Sequence, residues 1–252
     1  MIELPYLVFS EVEFDRAHHL QKALVDWIGQ NDFPGVLLLL EHPPVITLGK
    51  SASPANLLVR EEVLTQAGIE LRPVERGGDI TYHGPGQIVG YPLLNLRFWE
   101  KDVHLFLRTL EEALITFLRR YQVEAMRYPP FTGVWVRNRG SFEKIAAIGV
   151  AVKRWVTYHG FALNISPNLD HFRYIIPCGI KDKGVTSLEE MKAETFSSSE
   201  REFMKKEIAQ DLGAVFGFSM VALREKNINQ FGREIRTILQ EIVEKLRMEV
   251  KR

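Results

Sequence analysis

The sequence predicts an α+β fold, a mixed β-sheet flanked by helices, and three observations carry that reading. Short apolar runs suited to strands gather in clusters, over about residues 35–48 and 132–164. Segments with apolar residues at three- and four-residue spacings bracket those clusters. Strand and helix patterns do not alternate as a regular βαβ repeat requires. One domain is expected over residues 1–222, with an amphipathic helical extension over 223–252.

In chain order, residues 15–30 place Ala17, Leu20, Leu24, Trp27 and Ile28 on one helical face. PGVLLLLEHPPVITLGK follows as two short buried strands, broken by a turn at Pro43 and Pro44. EEVLTQAGIELRPV reads as a short helix, a stop at Gly68 and a strand, and QIVGYPLLNL reads as another strand. Residues 102–121 give the clearest helix. Val103, Phe106, Leu107, Leu110, Leu114, Phe117, Leu118 and Tyr121 form its stripe, and Asp102 is placed to cap it. TGVWVRN, KIAAIGVAVKRWV and GFALNI are successive strands with short connections. SSSEREFMKKEIAQDLGAVFGF returns to helix, with Ser199 as the expected cap and Met204, Ile208, Leu212 and Val215 facing inward. A last helix over about 228–250 aligns Phe231, Ile235, Ile238, Leu239, Ile242, Val243 and Leu246, which suits packing on its own domain or contact with a partner.

Lys plus Arg and Asp plus Glu both number 32 in 252 residues, so no net field attracts nucleic acid or an anionic membrane. The start MIELPYLVFSEVEFDR lacks the basic and apolar regions of a secretory leader, and no apolar run is long enough for a bilayer. The expected location is cytoplasmic, with no nucleic-acid or membrane partner. Cys178 is the single cysteine, so no intramolecular disulfide or Cys-rich metal site exists. The histidines show no HExxH or comparable spacing, and neither a catalytic metal nor a cofactor is expected.

Three segments stand out chemically. RGGDITYHGPGQ interleaves Arg76, Tyr82 and His83 with Gly77, Gly78, Gly84 and Gly86, which bring backbone close to a ligand or permit positive φ. We read it as a binding loop. It is no nucleotide loop: GxGxxG is missing, and PVITLGKS carries Pro44 where a P-loop has its first glycine. EKIAAIGVAVKRW predicts a strand buried on both faces, with small Ala146, Ala147 and Gly149 leaving room for an apolar ligand. On position alone, Lys144 at its start is a solvated lysine, and His159 in VTYHGFALNI is a structural histidine. By count alone, Cys178 in RYIIPCGIKDKG is a small buried hydrophobe; a nucleophile needs thiolate character and access.

In order, RGGDITYHGPGQIVGYPLLNL, KIAAIGVAV, YHGFALNI, IIPCGI and VTSL resemble the octanoyltransferases of lipoate biosynthesis, the lipoate-protein ligase B family, over roughly residues 10–220. The resemblance implies the biotin/lipoate protein ligase catalytic-domain fold. It also implies transfer of an octanoyl group from octanoyl-acyl carrier protein to a lysine of lipoyl domains, the first step of endogenous protein lipoylation. The implied acceptors are the lipoyl domains of 2-oxoacid dehydrogenases and the glycine cleavage H protein. Carried over by position, the PCG cysteine that forms the acyl-thioester is Cys178, and the KIA lysine, its base and pKa-lowering partner, is Lys144. The substrate loop is Arg76, Gly77, Gly78, Asp79, Ile80, Thr81, Tyr82 and His83, with no chemical role given to Asp79. Ala147, Ile148 and Gly149 come from the small-residue strand, and Gly160, Phe161 and Ala162 from HGFAL.

Such chemistry sets requirements. A thioester donor and an amine acceptor need no ATP, and each half-reaction passes through a tetrahedral oxyanion. A free thiol is only about 3% thiolate at neutral pH, and lowering its pKa by about two units yields only about threefold in rate once nucleophilicity falls with basicity. Lys144 is therefore also expected to move protons, from the thiol and later from the acceptor lysine. Burying about six methylenes at about 0.8 kcal/mol each gives about 5 kcal/mol for chain recognition. Ala147, Gly149 and Ala162 are expected to line the tunnel. Backbone donors around Gly77 and Gly78, with His83, are expected to position the carbonyl. Arg137, Arg139, Lys153 and Arg154 either face the acidic carrier or are solvated charges. The alternative within the fold is an ATP-dependent lipoate- or biotin-type protein ligase, which Lys144 suits equally; Cys178 and TYHGPGQ suit only the transferase. A scaffold protein using its C-terminal helix is the alternative outside it.

Overall fold

A computed structural model describes residues 1–223, so the last helix and all but the first residue of the expected extension lie outside the described residues. Chain order is β1 (Ile2–Glu11), α1 (Phe14–Gln30), β2 (Gly35–Glu41), β3 (Val45–Leu48), α2 (Glu61–Gln66), β4 (Glu70–Pro73), β5 (Ile80–His83) and β6 (Gln87–Leu94). There follow α3 (Val103–Arg120), β7 (Ala125–Tyr128), β8 (Phe131–Asn138), β9 (Ser141–Lys153), β10 (Val156–Asn164), β11 (Gly184–Val185), α4 (Leu188–Lys192), α5 (Ser198–Phe216) and β12 (Phe218–Ala222).

The main sheet runs β12-β1-β2-β6-β10-β9-β8-β7, with β11 paired to β9; β4-β3-β5 form a smaller sheet. β1 is parallel to β12 and β2, and β11 to β9, whereas the β2–β6–β10–β9–β8–β7 pairings are antiparallel. The sheet is therefore mixed, as expected. Its two faces explain why LLLL in β2 is apolar throughout. Leu37 and Leu39 join Phe106, Leu110, Leu114, Phe117 and Leu118 of α3 and Ile208 and Leu212 of α5 on one side. Leu38 and Leu40 join Ala17, Leu24, Val25 and Ile28 of α1 on the other. Successive strand residues point to opposite faces, so a sheet covered on both sides needs no polar alternation. Each such fully buried side chain contributes about 1.5–3 kcal/mol.

Asp102 caps α3 as expected, accepting from His104 N at 2.8 Å and Leu105 N at 3.0 Å. The cap of α5 is Ser197, not Ser199. Ser197 Oγ accepts from Glu200 N at 3.3 Å while Glu200 Oε2 accepts from Ser197 N at 2.7 Å. Glu202 stands three residues past Ser199 in the same way, but its carboxylate pairs with Lys205, so the reciprocal bonds of the capping box form only between Ser197 and Glu200. Two further expectations change. Residues 80–83 are strand β5 rather than loop, because Ile80 and Tyr82 bury against Ile46, Leu64 and Phe172. β9 is not buried on both faces throughout: Lys144–Ala146 are, but Ala147, Ile148 and Gly149 border an open cavity. No helix among the described residues is long and apolar enough to cross a membrane.

Candidate active site

Cys178 occupies a tight turn, Pro177–Gly179, at φ 56° and ψ 18°, with Gly179 following at φ 71°. A non-glycine residue in the left-handed region costs about 1–3 kcal/mol and persists only where its surroundings over-determine it. Here they do. Gly179 N donates to Ile176 O at 3.0 Å, Ile180 N to Pro177 O at 3.1 Å, and Ile176 N to Asn56 O at 2.8 Å. Behind the turn, the Asp79 carboxylate accepts from Asn56 Nδ2, from Ser53 N at 3.2 Å and from Ile80 N at 2.7 Å. A Cβ on Gly179 would stand 2.7 Å from Asp79 Oδ2. Asp79, given no chemical role from sequence, thus buttresses the cysteine turn. Cys178 is half-buried, not the fully buried hydrophobe that its count suggested.

Lys144 is 6% exposed, which overturns the solvated position suggested by its place in the sequence. Its Nζ donates to Cys178 Sγ at 3.2 Å and lies 4.9 Å from the centre of the Trp135 ring. Trp135 is its cross-strand partner on β8, just past a register shift, and Val185 is its partner on β11. The tryptophan is a signal that sequence reasoning missed: an aromatic face and a sulfur together stabilise a buried cation.

Cys178 opens onto a cavity of about 520 Å³, counting its open mouth. Arg76, Gly77, Gly78, Asp79, Thr81, His83, Ala147, Ile148, Gly149, Gly160, Phe161 and Ala162 of the expected set line it, together with Phe14, Thr47, Val89, Tyr91 and His159. Ile80 and Tyr82 do not. Strand alternation on β5 turns Thr81 and His83 to the cavity and the other two into the small core. Ala147 and Ala162 are cross-strand partners and share a face. Gly149 lines the cavity too, but its small size has another cause: a Cβ there would stand 2.9 Å from Gly77 O. Thr81, Ala147 and Cys178 also border a second, smaller cavity with Gln87, Lys144, Asn164 and Phe172.

The polar groups at the cavity divide into engaged and unengaged. Gly77 N donates to Val150 O at 2.9 Å. His83 meets Gln87 Oε1 with Nδ1 at 2.7 Å and Thr47 Oγ1 with Nε2 at 3.4 Å, and burial lowers its pKa to about 3. Of the expected carbonyl-positioning groups, Gly77 N and both His83 ring nitrogens are therefore occupied. Arg76 Nη2 donates to Thr47 O and Oγ1, both at 2.8 Å, while Arg76 Nε is buried without a partner. Burial lowers the Arg76 pKa, and the charge of Cys178 opposes that shift. His42 is held neutral by burial as well, at about 4.

The four basic residues do not form one face. Arg137 and Arg139 lie where β8 turns into β9, Lys153 and Arg154 where β9 turns into β10, so the length of β9, about 40 Å, separates them. Lys153 also pairs with Asp26 at 2.6 Å. Elsewhere, His18, Glu75 and His159 bring three potential metal-ligating atoms within 4.8 Å of one another, a convergence that no sequence spacing signalled.

Residues 14–247 match the lipoyl protein ligase A/B catalytic domain family. An octanoyltransferase of Clostridium kluyveri is 49% identical over 72% of this chain and 76% of its own length. An octanoyltransferase of Caldicellulosiruptor saccharolyticus is 44% identical over 87% and 91%. Among solved structures, a bipartite lipoate protein ligase from Thermoplasma acidophilum superposes with a TM-score of 0.68 at 16% identity, covering 97% of this chain and 93% of that one. A lipoate-protein ligase A crystallised with ATP gives 0.66 at 14% identity, covering 97% and 95%. These two establish the fold. The chain belongs to the lipoyl protein ligase A/B catalytic-domain family and, within it, to the octanoyltransferases.

Proposed function

We propose that this protein transfers an octanoyl group from octanoyl-acyl carrier protein to a lysine of a lipoyl domain, through an acyl-thioester on Cys178. The observation that carries the reading is the 3.2 Å contact between Lys144 Nζ and Cys178 Sγ at the head of a largely apolar cavity. Lys144 takes the thiol proton, and the thiolate attacks the donor carbonyl. The carbon–sulfur bond to the carrier then breaks, and the carrier thiol leaves with a proton. In the second half-reaction the acceptor lysine, having lost its ammonium proton to solvent, attacks the enzyme thioester. An amide forms, the carbon–sulfur bond to Cys178 breaks, and the amine's second proton passes to Lys144, left neutral when its proton went to the carrier thiol, so that the Cys178 thiolate is regenerated beside the ammonium group. Two cavities meeting at Cys178 support separate approaches for acyl chain and acceptor.

Arg76 is our candidate for the developing oxyanion, because it is a buried cation in the cavity whose Nε has no partner. The acceptors we infer are the lipoyl domains of 2-oxoacid dehydrogenases and the glycine cleavage H protein, and the reaction needs no ATP or cofactor. The test is octanoylation of a purified lipoyl domain by this protein, with octanoyl-acyl carrier protein and no nucleotide. Modified acceptor supports the reading. Modification that appears only with free octanoate and ATP makes the protein a ligase instead.

A further inference from the structure

We propose that His18, Glu75 and His159 form a binding site for one divalent transition-metal ion of the zinc type, separate from Cys178 and Lys144. The three side chains come from α1, the segment after β4, and β10. His18 Nε2 lies 2.8 Å and His159 Nε2 3.7 Å from Glu75 Oε2. Nitrogen and oxygen ligands bound tetrahedrally at about 2.0–2.1 Å stand about 3.3 Å apart, so closure on an ion requires shifts of about 1 Å or less from these two spacings.

A second observation points independently to a ligand. His159 is 3% exposed, and its Nε2, aimed at Glu75, has no hydrogen-bond partner. Buried polar nitrogens are normally paired, and an ion would complete this one. Two imidazoles and one carboxylate match zinc-type ions rather than magnesium or calcium, which favour all-oxygen sets. His18 and Glu75 are 15% and 39% exposed, so an ion can enter from solvent and keep water as a fourth ligand.

The site adjoins the acyl cavity, which His159 lines, and Glu75 precedes Arg76 in the chain. An ion there would brace α1 and the Arg76 loop against β10. It touches none of the reacting atoms, so its role is stabilisation of the cavity wall.

The test titrates the chelator-stripped full chain with Zn2+ alone by calorimetry, with Mg2+ as control. We expect one zinc ion per chain with micromolar or tighter affinity, no magnesium binding, and a melting temperature raised by about 5 °C or more at a hundredfold excess over Kd. Affinity should fall at least about 10-fold in both His18→Ala and Glu75→Gln, partly exposed positions that the fold tolerates, and persist in Cys178→Ala. Absence of saturable binding, unchanged affinity in both ligand variants, or loss of binding in Cys178→Ala would each overturn the proposal.

Discussion

Lys144 Nζ stands 3.2 Å from Cys178 Sγ across 34 residues of sequence. Two independent supports set that distance: Trp135 beneath the ammonium group, and Asp79 with Asn56 behind the cysteine turn. Lys144→Met is expected to slow acylation of Cys178 by about 10²–10⁴-fold, the usual range for a positioned proton-transfer group. Lys144→Arg keeps a cation over Trp135 but cannot release its proton, so it should be nearly as slow. Single-turnover acylation rates check both; a Lys144→Arg enzyme of wild-type rate would reduce the lysine to a fixed charge.

The Asp79 carboxylate, bound to Ser53, Asn56 and Ile80, holds the turn that presents the sulfur. Asp79→Ala should lower the acylation rate constant about 10- to 100-fold while leaving the KM for donor within about twofold, because the Asp79 carboxylate is engaged with Asn56, Ser53 and Ile80 and the apolar lining of the cavity is unchanged. Asp79→Asn, which retains one acceptor oxygen, should recover part of the rate. A loss expressed only in KM would place Asp79 in donor binding.

Ala147 and Ala162 face the cavity as cross-strand partners, so bulk added there shortens the space available to a chain. Ala147→Leu is expected to shift preference from octanoyl toward shorter donors, at about 0.8 kcal/mol, or about fourfold in kcat/KM, for each methylene excluded. Competition between acyl-carrier donors of different length measures it. Gly149 is the poorer probe, since a side chain there meets the Gly77 carbonyl first.

Acid should destabilise the fold well above the carboxylate range. His42, His83 and His159 titrate near about 4, 3 and 3 in the folded chain, chiefly through burial, against about 6.5 unfolded. Between those values the unfolded chain binds more protons, so stability is complete above about pH 6.5 and is lost as pH falls toward about 3–4. At pH 5 the gap of about 1.5 units amounts to about 2 kcal/mol per histidine. Urea denaturation at pH 7.5 and 5.0 tests this; equal midpoints would mean that these rings are not buried neutral.

The site and the frame around it were not equally legible. Helix α3 was readable residue by residue because spacing and cap are local, and Cys178 and Lys144 emerged once PCG and KIA were seen in one ordered set. Composition and position alone placed both side chains wrongly, since burial of Lys144 depends on Trp135 and β11, which no local pattern announces. β1 and β12 went unread because their pairings are non-local: β12 pairs in parallel with β1 from the opposite end of the described chain, and β1 pairs with β2 only across α1. The glycine-rich loop concealed β5, whose pairing with β3 is equally non-local. His18, Glu75 and His159 lie on three elements, and only the packing of α1 over β10 and the Arg76 loop unites them.

The most direct measurement is the intact mass of the purified protein after mixing with octanoyl-acyl carrier protein without ATP, for wild type and Cys178→Ala. One octanoyl group on the wild type and none on the variant is the predicted result. An unmodified wild type, or the same adduct on Cys178→Ala, would contradict covalent catalysis through Cys178.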